Sequence, residues 1–376
     1  MENEFEDLRP YFDSEINQAM LRIVQDVNFD RVANYVFPDE NLEVVKATLR
    51  TVNSIAQFQS EIMKKAVRTI VDKTIDNLTF SGLERLDKSK KYLFVANHRD
   101  IMLDSALLQV YFIQQGFPTS EITFGSNLMQ GDIVIDIGKS NKMFKVKRGG
   151  SPKEFYKNSL ELSHYIRYAL TQKGESIWIA QRNGRTKDGI DLTEQGLIRM
   201  FSMSGDTNLV DNLAELNIVP VSISYQWETC DALKARELYL SSDRKYIKAP
   251  GEDLMSILTG INTYKGDVHL AIGEPITRDH LRGIYSDNKT VFLDHVAKLI
   301  DQSIYSNYQL FDTHFIAYDI LHSDLRFADK YTQANYIAFI DRMEKLITPF
   351  EEYSKELEKF FLNIYANPVK YCYPDF

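Results

Sequence analysis

The first seventy-eight residues contain no glycine, and beyond Pro10 they hold only Pro38; the first glycine of the chain is Gly82. With so few chain-breaking residues, this stretch reads as helical. Cysteine is nearly absent: Cys230 and Cys372 lie far apart, give no metal-ligand spacing and build no disulfide framework, which fits a reducing compartment. Excess positive charge is absent too. The formal net charge of −9 argues against a nucleic-acid binder that works through phosphate contacts. No run approaches the roughly 18 uncharged apolar residues of a membrane span. The acidic start Met1-Glu2-Asn3-Glu4-Phe5-Glu6-Asp7 lacks the basic and apolar regions of a signal peptide. A cytoplasmic protein is expected, one that meets any lipid substrate peripherally, at the cytoplasmic membrane face.

What is present is the material of a large globular core: 376 residues, 44% apolar and 26% charged. Three regions follow from the patterning. In 1–78, Val45, Leu49, Val52, Ile55, Phe58, Ile62, Ala66, Ile70 and Leu78 recur at helical spacings, predicting an amphipathic helix between Asn41 and Asn77. In 79–280, apolar runs at 92–96, 122–124, 176–180, 218–224 and 268–272 alternate with helical segments at 105–115 and 153–172. That alternation predicts an α/β layer with a buried sheet. Region 281–376 turns helical again and is rich in Tyr and Phe. The predicted class is α/β, a core sheet flanked by helices with helical N-terminal and C-terminal regions.

Four blocks carry candidate chemistry. His98 follows the apolar run Tyr92–Ala96 and precedes Asp100, Asp104 and an apolar helix. A histidine with one ring nitrogen on a carboxylate keeps the other free as a base, and no metal is needed. A structural histidine at a strand end is the competing reading. Asp104 stands where a helix N-cap belongs, and its several lone pairs allow it to orient His98 as well; Asp100 is the alternate. The second block is Lys139, Lys142, Lys145, Lys147, Arg148 and Lys153, in a stretch from Ile137 without one acidic residue. It is either a solvated face or a focused anion site, with Arg148 ahead of Gly149-Gly150 the leading residue. The third, Gln181 through Gly189, is a cationic glycine-bearing loop after a strand, either an anion cradle or a surface turn. The fourth, Ile218–Tyr225, reads as a core strand with Pro220 near its start.

In this order the blocks resemble the glycerolipid acyltransferase family, which includes glycerol-3-phosphate and lysophosphatidate acyltransferases. Asn97-His98-Arg99 with Asp104 resembles the first family block, Phe144–Arg148 the second, Gln181–Thr186 the third and Ile218–Val221 the fourth. Tyr225–Glu228 with Lys234 and Glu237, and Gly273–Ile276, are similar as well; the resemblance spans about 90–280. It implies a fatty acyl transfer from acyl-CoA or acyl-acyl carrier protein to a hydroxyl of glycerol 3-phosphate or lysophosphatidate in phospholipid biosynthesis, with no resident cofactor or metal. It makes His98 the base, Asp104 or Asp100 its orienter, and Arg99, Lys147, Arg148, Arg182, Asn183, Gly184, Arg185 and Thr186 the substrate contacts. Backbone amides at the start of the helix after His98 are expected to hold the oxyanion. The 139–153 block is expected to dock an acidic carrier protein.

Two departures stand out. Five residues rather than four separate His98 from Asp104, and the glutamate that precedes the third block's glycine and arginine is replaced at Gln181-Arg182. The second departure keeps an amino-acid lipid acceptor open. From other classes, a metal-dependent phosphoesterase on His98, Asp100 and Asp104, or a non-catalytic lipid-binding protein, are the alternatives.

Overall fold

The computed structural model describes residues 5–129, 131–243 and 246–373. Seven strands form one sheet: β1 (Ile75–Ser81), β2 (Leu93–Ala96), β3 (Glu121–Gly125), β4 (Met143–Val146), β5 (Ile177–Ala180), β6 (Ile218–Tyr225) and β7 (Gly266–Ile272), in the order β1-β7-β6-β2-β5-β3-β4. β2 to β6 run parallel, whereas β7 is antiparallel to β6 and parallel to β1. The central strands are apolar on both faces because helices cover both, as parallel strands require.

On one face Leu93, Val95, Phe144, Ile177, Ile179 and Ile218 pack against the helices Pro152–Tyr168, Gln195–Phe201 and Lys289–Ser306. On the other, Phe94, Ile122, Trp178, Val221 and Ile223 meet the helix Leu103–Gln114. The N-terminal helices and the C-terminal helices Asp312–His322, Gln333–Ile347 and Lys355–Cys372 build two further apolar clusters. Deleting a fully buried side chain in any of these costs roughly 2–5 kcal/mol.

Two element boundaries differ from the sequence expectation, and β4 lies where no strand was expected. β1 begins at Ile75, inside the stretch expected to be helical, because the helix Lys64–Thr74 runs into the strand with no glycine or proline to punctuate it. Leu78, which fits the helical stripe, therefore lies on a strand. The helix expected across 41–77 is broken after Thr51, and Ser54 restarts it by accepting the Gln57 amide at 3.2 Å. In the region from 281, the helix Lys289–Ser306 belongs to the sheet's own packing layer through Phe292, Leu293, Val296, Ile300 and Ile304, each fully buried.

Candidate active site

The carboxyl ends of β2, β3, β4, β5 and β6 share one side of the sheet, where open α/β sheets bind ligands. Asn97 shapes the exit from β2. Its side chain accepts from the Ile223 amide (2.8 Å) and donates to the Ile223 carbonyl (3.0 Å) and to Asp191 (3.0 Å). The strand end is thereby pinned to β6, and His98 follows at the rim.

Asp104 is 2% exposed, and its carboxylate organises the turn. Oδ2 pairs with His98 Nδ1 at 2.8 Å and accepts from the amides of Arg99 (2.6 Å) and Asp100 (2.9 Å). Oδ1 accepts from the Tyr225 hydroxyl at 2.8 Å. Burial, and then the neighbouring Asp104 charge, push the Tyr225 phenol well above its ordinary value, so it stays the donor. His98 Nδ1 is thus committed, and the ring lies edge-on to Trp178 with centroids 5.7 Å apart. His98 also lines a cavity of about 280 Å³. A histidine held in this way can take a proton at Nε2.

Asp100 does a different job. Its Oδ1 accepts from the amides of Met102 and Leu103, both at 2.9 Å, at the start of the helix Leu103–Gln114. The capping task expected of Asp104 belongs to Asp100, and Asp100 does not orient His98. The Arg99, Asp100, Met102 and Leu103 amides are engaged by carboxylates, which takes these four out of the set of expected oxyanion donors.

Arg99 is a further correction. Expected on the substrate, it is completely buried, ion-paired with Asp191 and, at 3.1 Å, with Glu228. Lys234 adds its own pair to Glu228 and donates to the Arg99 carbonyl at 2.7 Å. Burial alone would lower the Arg99 pKa, but the Asp191, Tyr308 and Glu228 side chains drive it well above its ordinary value. The network clamps the His98 loop from behind.

The cavity wall is apolar at Leu128, Val146, Leu162, Trp178, Leu197 and Met200 and cationic at Lys145, Lys147, Arg148 and Arg182, with Glu161 and Glu194 also lining it. Gly125 at the end of β3 leaves the space that Arg148 fills: a Cβ there would lie 2.9 Å from Arg148 Nε. Lys147 reaches the cavity but is paired with Asp7 (3.1 Å) and Glu161 (3.2 Å). The second block does not form one surface. Lys142 pairs with Glu175 at 2.8 Å and Lys139 lies 5.4 Å from the Tyr11 ring centroid, before β4, whereas Lys145, Lys147 and Arg148 lie at its far end.

The third block divides as well. Arg182 and Asn183 line the cavity, and the Arg182 Nε is buried without a partner among the described residues. Gly184 turns the chain at φ 82°. Beyond it Arg185 and Thr186 are buried off the cavity wall, and the Thr186 amide donates to the His98 carbonyl at 2.7 Å. Gly184, Arg185 and Thr186, expected as substrate contacts, are not in this cavity's lining, and Arg185 Nη1 and Thr186 Oγ1 are buried without a partner among the described residues.

Tyr225 and Trp178 escaped the sequence reading as site residues. Both sit in apolar runs that read as core, and only the hydroxyl ending the fourth block hinted at more. Among the described residues no group of three or more His, Cys, Asp or Glu side chains converges to hold a metal, and no helix is long and apolar enough to cross a membrane.

The family model described as Acyltransferase matches residues 77–224, the span that holds the first three blocks, the fourth up to Ser224, and both members of the His98–Asp104 pair. The chain carries an acyltransferase domain over these residues. Among solved structures it is similar to the 1-acyl-sn-glycerophosphate (LPA) acyltransferase PlsC from Thermotoga maritima, with 15% identity over 75% of this chain and 93% of that one and a TM-score of 0.37. No curated protein matches it.

Proposed function

We propose that this acyltransferase moves a fatty acyl group from acyl-CoA or acyl-acyl carrier protein to a hydroxyl of a glycerol-phosphate-type acceptor, glycerol 3-phosphate or lysophosphatidate, in phospholipid biosynthesis. The observation that carries the reading is the His98–Asp104 pair at 2.8 Å on a cavity lined by apolar side chains and by Lys145, Lys147, Arg148 and Arg182. Nε2 of His98 takes the acceptor's hydroxyl proton as the oxygen attacks the thioester carbonyl. The Asp104 carboxylate stabilises the imidazolium that forms. Collapse of the tetrahedral adduct breaks the carbon–sulfur bond, and the departing thiolate takes the proton from His98. Arg148 and Arg182 hold the acceptor phosphate, and the apolar wall takes the acyl chain.

A lipid product favours work at a membrane surface. Phe155 and Tyr156, 64% and 63% exposed, stand at the start of the helix Pro152–Tyr168 between Lys153 and Lys157, and Phe155 lines the cavity. Aromatic rings flanked by lysines suit a lipid–water interface.

The test is a radiolabelled acyl-transfer assay, with chelator present, against glycerol 3-phosphate, lysophosphatidate and lyso-amino lipids. Turnover of a phosphate acceptor is expected, with His98→Ala lowering it by roughly 10²–10⁴. A folded His98→Ala variant with undiminished turnover rules out the base, and turnover of the amino lipids alone rules out the acceptor.

A further inference from the structure

β4 is an edge strand of the sheet, and residues 5–11 cover it as a strap. Leu8 accepts the Lys145 amide at 3.0 Å, and the Tyr11 amide donates to the Lys139 carbonyl at 3.2 Å. Phe5 is buried with its ring 5.2 Å from Tyr165 and 5.5 Å from Tyr168. Arg9 is buried and paired with Glu6 (2.7 Å) and Glu15 (2.6 Å). The strap is therefore fixed on both sides of Asp7 by contacts that do not involve Asp7.

What Asp7 does is bridge two lysines of the cavity's cationic wall. Its carboxylate lies 2.9 Å from Lys145 Nζ and 3.1 Å from Lys147 Nζ. Hydrogen bonds from Lys145 and then Lys147 hold its carboxyl below the usual range. An anion held in this way neutralises cations beside Arg148, where an incoming phosphate has to sit. With its side chain 61% exposed, the Asp7 pairing is weak enough for a substrate to compete with it.

We infer that Asp7 is a built-in counter-anion that competes with the phosphate of a substrate for Lys145 and Lys147, and so raises the KM for that substrate. The inference rests on the reading of the cationic wall as a phosphate site. Either the acceptor's phosphate or those of a CoA donor could meet the pair; the acceptor's is expected.

The experiment measures KM for glycerol 3-phosphate at saturating palmitoyl-CoA, and the reverse, in Asp7→Asn at low ionic strength. The acceptor KM is expected to fall roughly two- to fivefold, the span of one exposed ion pair, with the change in KM rather than kcat. The difference should fade towards ~1 M salt, where the screening length is about 3 Å. A fall in the palmitoyl-CoA KM alone supports the same competition with the donor as its source. No fall in either KM, or a rise, overturns it. Glu6→Gln removes a neighbouring strap carboxylate that faces Arg9 instead, and is expected to move neither KM. Arg148→Ala separates the two levels: if it weakens the acceptor KM while Asp7→Asn changes nothing, the counter-anion is wrong. If Arg148→Ala leaves both KM values as they were, the phosphate site itself is wrong.

Discussion

Replacing Asp104 by asparagine separates the shape of the His98 turn from its charge. Oδ2 faces three donors, His98 Nδ1 and the amides of Arg99 and Asp100, whereas Oδ1 faces only the Tyr225 hydroxyl. An asparagine must turn its carbonyl towards the three donors, since an NH2 there would meet N–H groups head-on. Its NH2 then faces Tyr225, whose oxygen can accept. The partners survive and the carboxylate charge is lost. With charges about 4 Å apart and an effective dielectric near 20, that charge stabilises a neighbouring imidazolium by about 4 kcal/mol, or about 10³ in rate. Thiol release from palmitoyl-CoA at saturating acceptor should fall by ~10²–10³ in Asp104→Asn, while the melting temperature stays within a few degrees. Asp104→Ala, in contrast, orphans two buried backbone amides at roughly 1–3 kcal/mol each and should be visibly destabilised. If Asp104→Asn is folded and keeps a substantial part of the wild-type turnover, the carboxylate is structural and the proposed stabilisation of the imidazolium fails.

Arg99→Ala leaves Asp191 buried without its charge partner and should cost roughly 3–5 kcal/mol in urea unfolding, whereas Arg148→Ala, which breaks no ion pair among the described residues, should cost little; similar midpoints for the two would contradict the burial argument. Asp301 accepts from the Thr193 amide and hydroxyl (2.7 and 2.6 Å), and burial raises its pKa from 3.8 to about 6. A raised folded-state pKa favours the folded state below about pH 4, and that contribution disappears as pH rises through about 6. Asp301→Asn should therefore be more stable than wild type at neutral pH, by on the order of 1–3 kcal/mol, with the gap closing by about pH 4; a gap of constant size across melts in that pH range would refute the burial assignment. Changing Phe155 and Tyr156 together to serine should reduce co-flotation with anionic phospholipid vesicles several-fold, and undiminished flotation would remove this edge as the lipid contact.

Most of the sheet was legible because its central strands are short apolar runs between punctuated loops, and those at 92–96, 176–180 and 218–224 come within two residues of β2, β5 and β6. β1 and β4 were not: β4 lies inside the lysine-rich block, and a strand with Asp76, Asn77 and Thr79 that follows a helix without a breaker has no local signature, its partner β7 lying about 190 residues away. The charged residues of the site were harder still. Composition cannot say whether an arginine faces a cavity or a carboxylate, and Arg99 and Arg148 read alike until Asp191 and Glu228 are seen around the first. The same holds for Asp100 and Asp104, both within reach of His98 along the chain. What separates them is where the unpaired backbone donors point. The amides of Met102 and Leu103 converge on Asp100, whereas those of Arg99 and Asp100 turn inward onto Asp104 beside the imidazole. The additional residue between histidine and aspartate thus sits in a turn where Asp100 supplies the helix start. With that task met, Asp104 has one oxygen for His98 and the other for Tyr225.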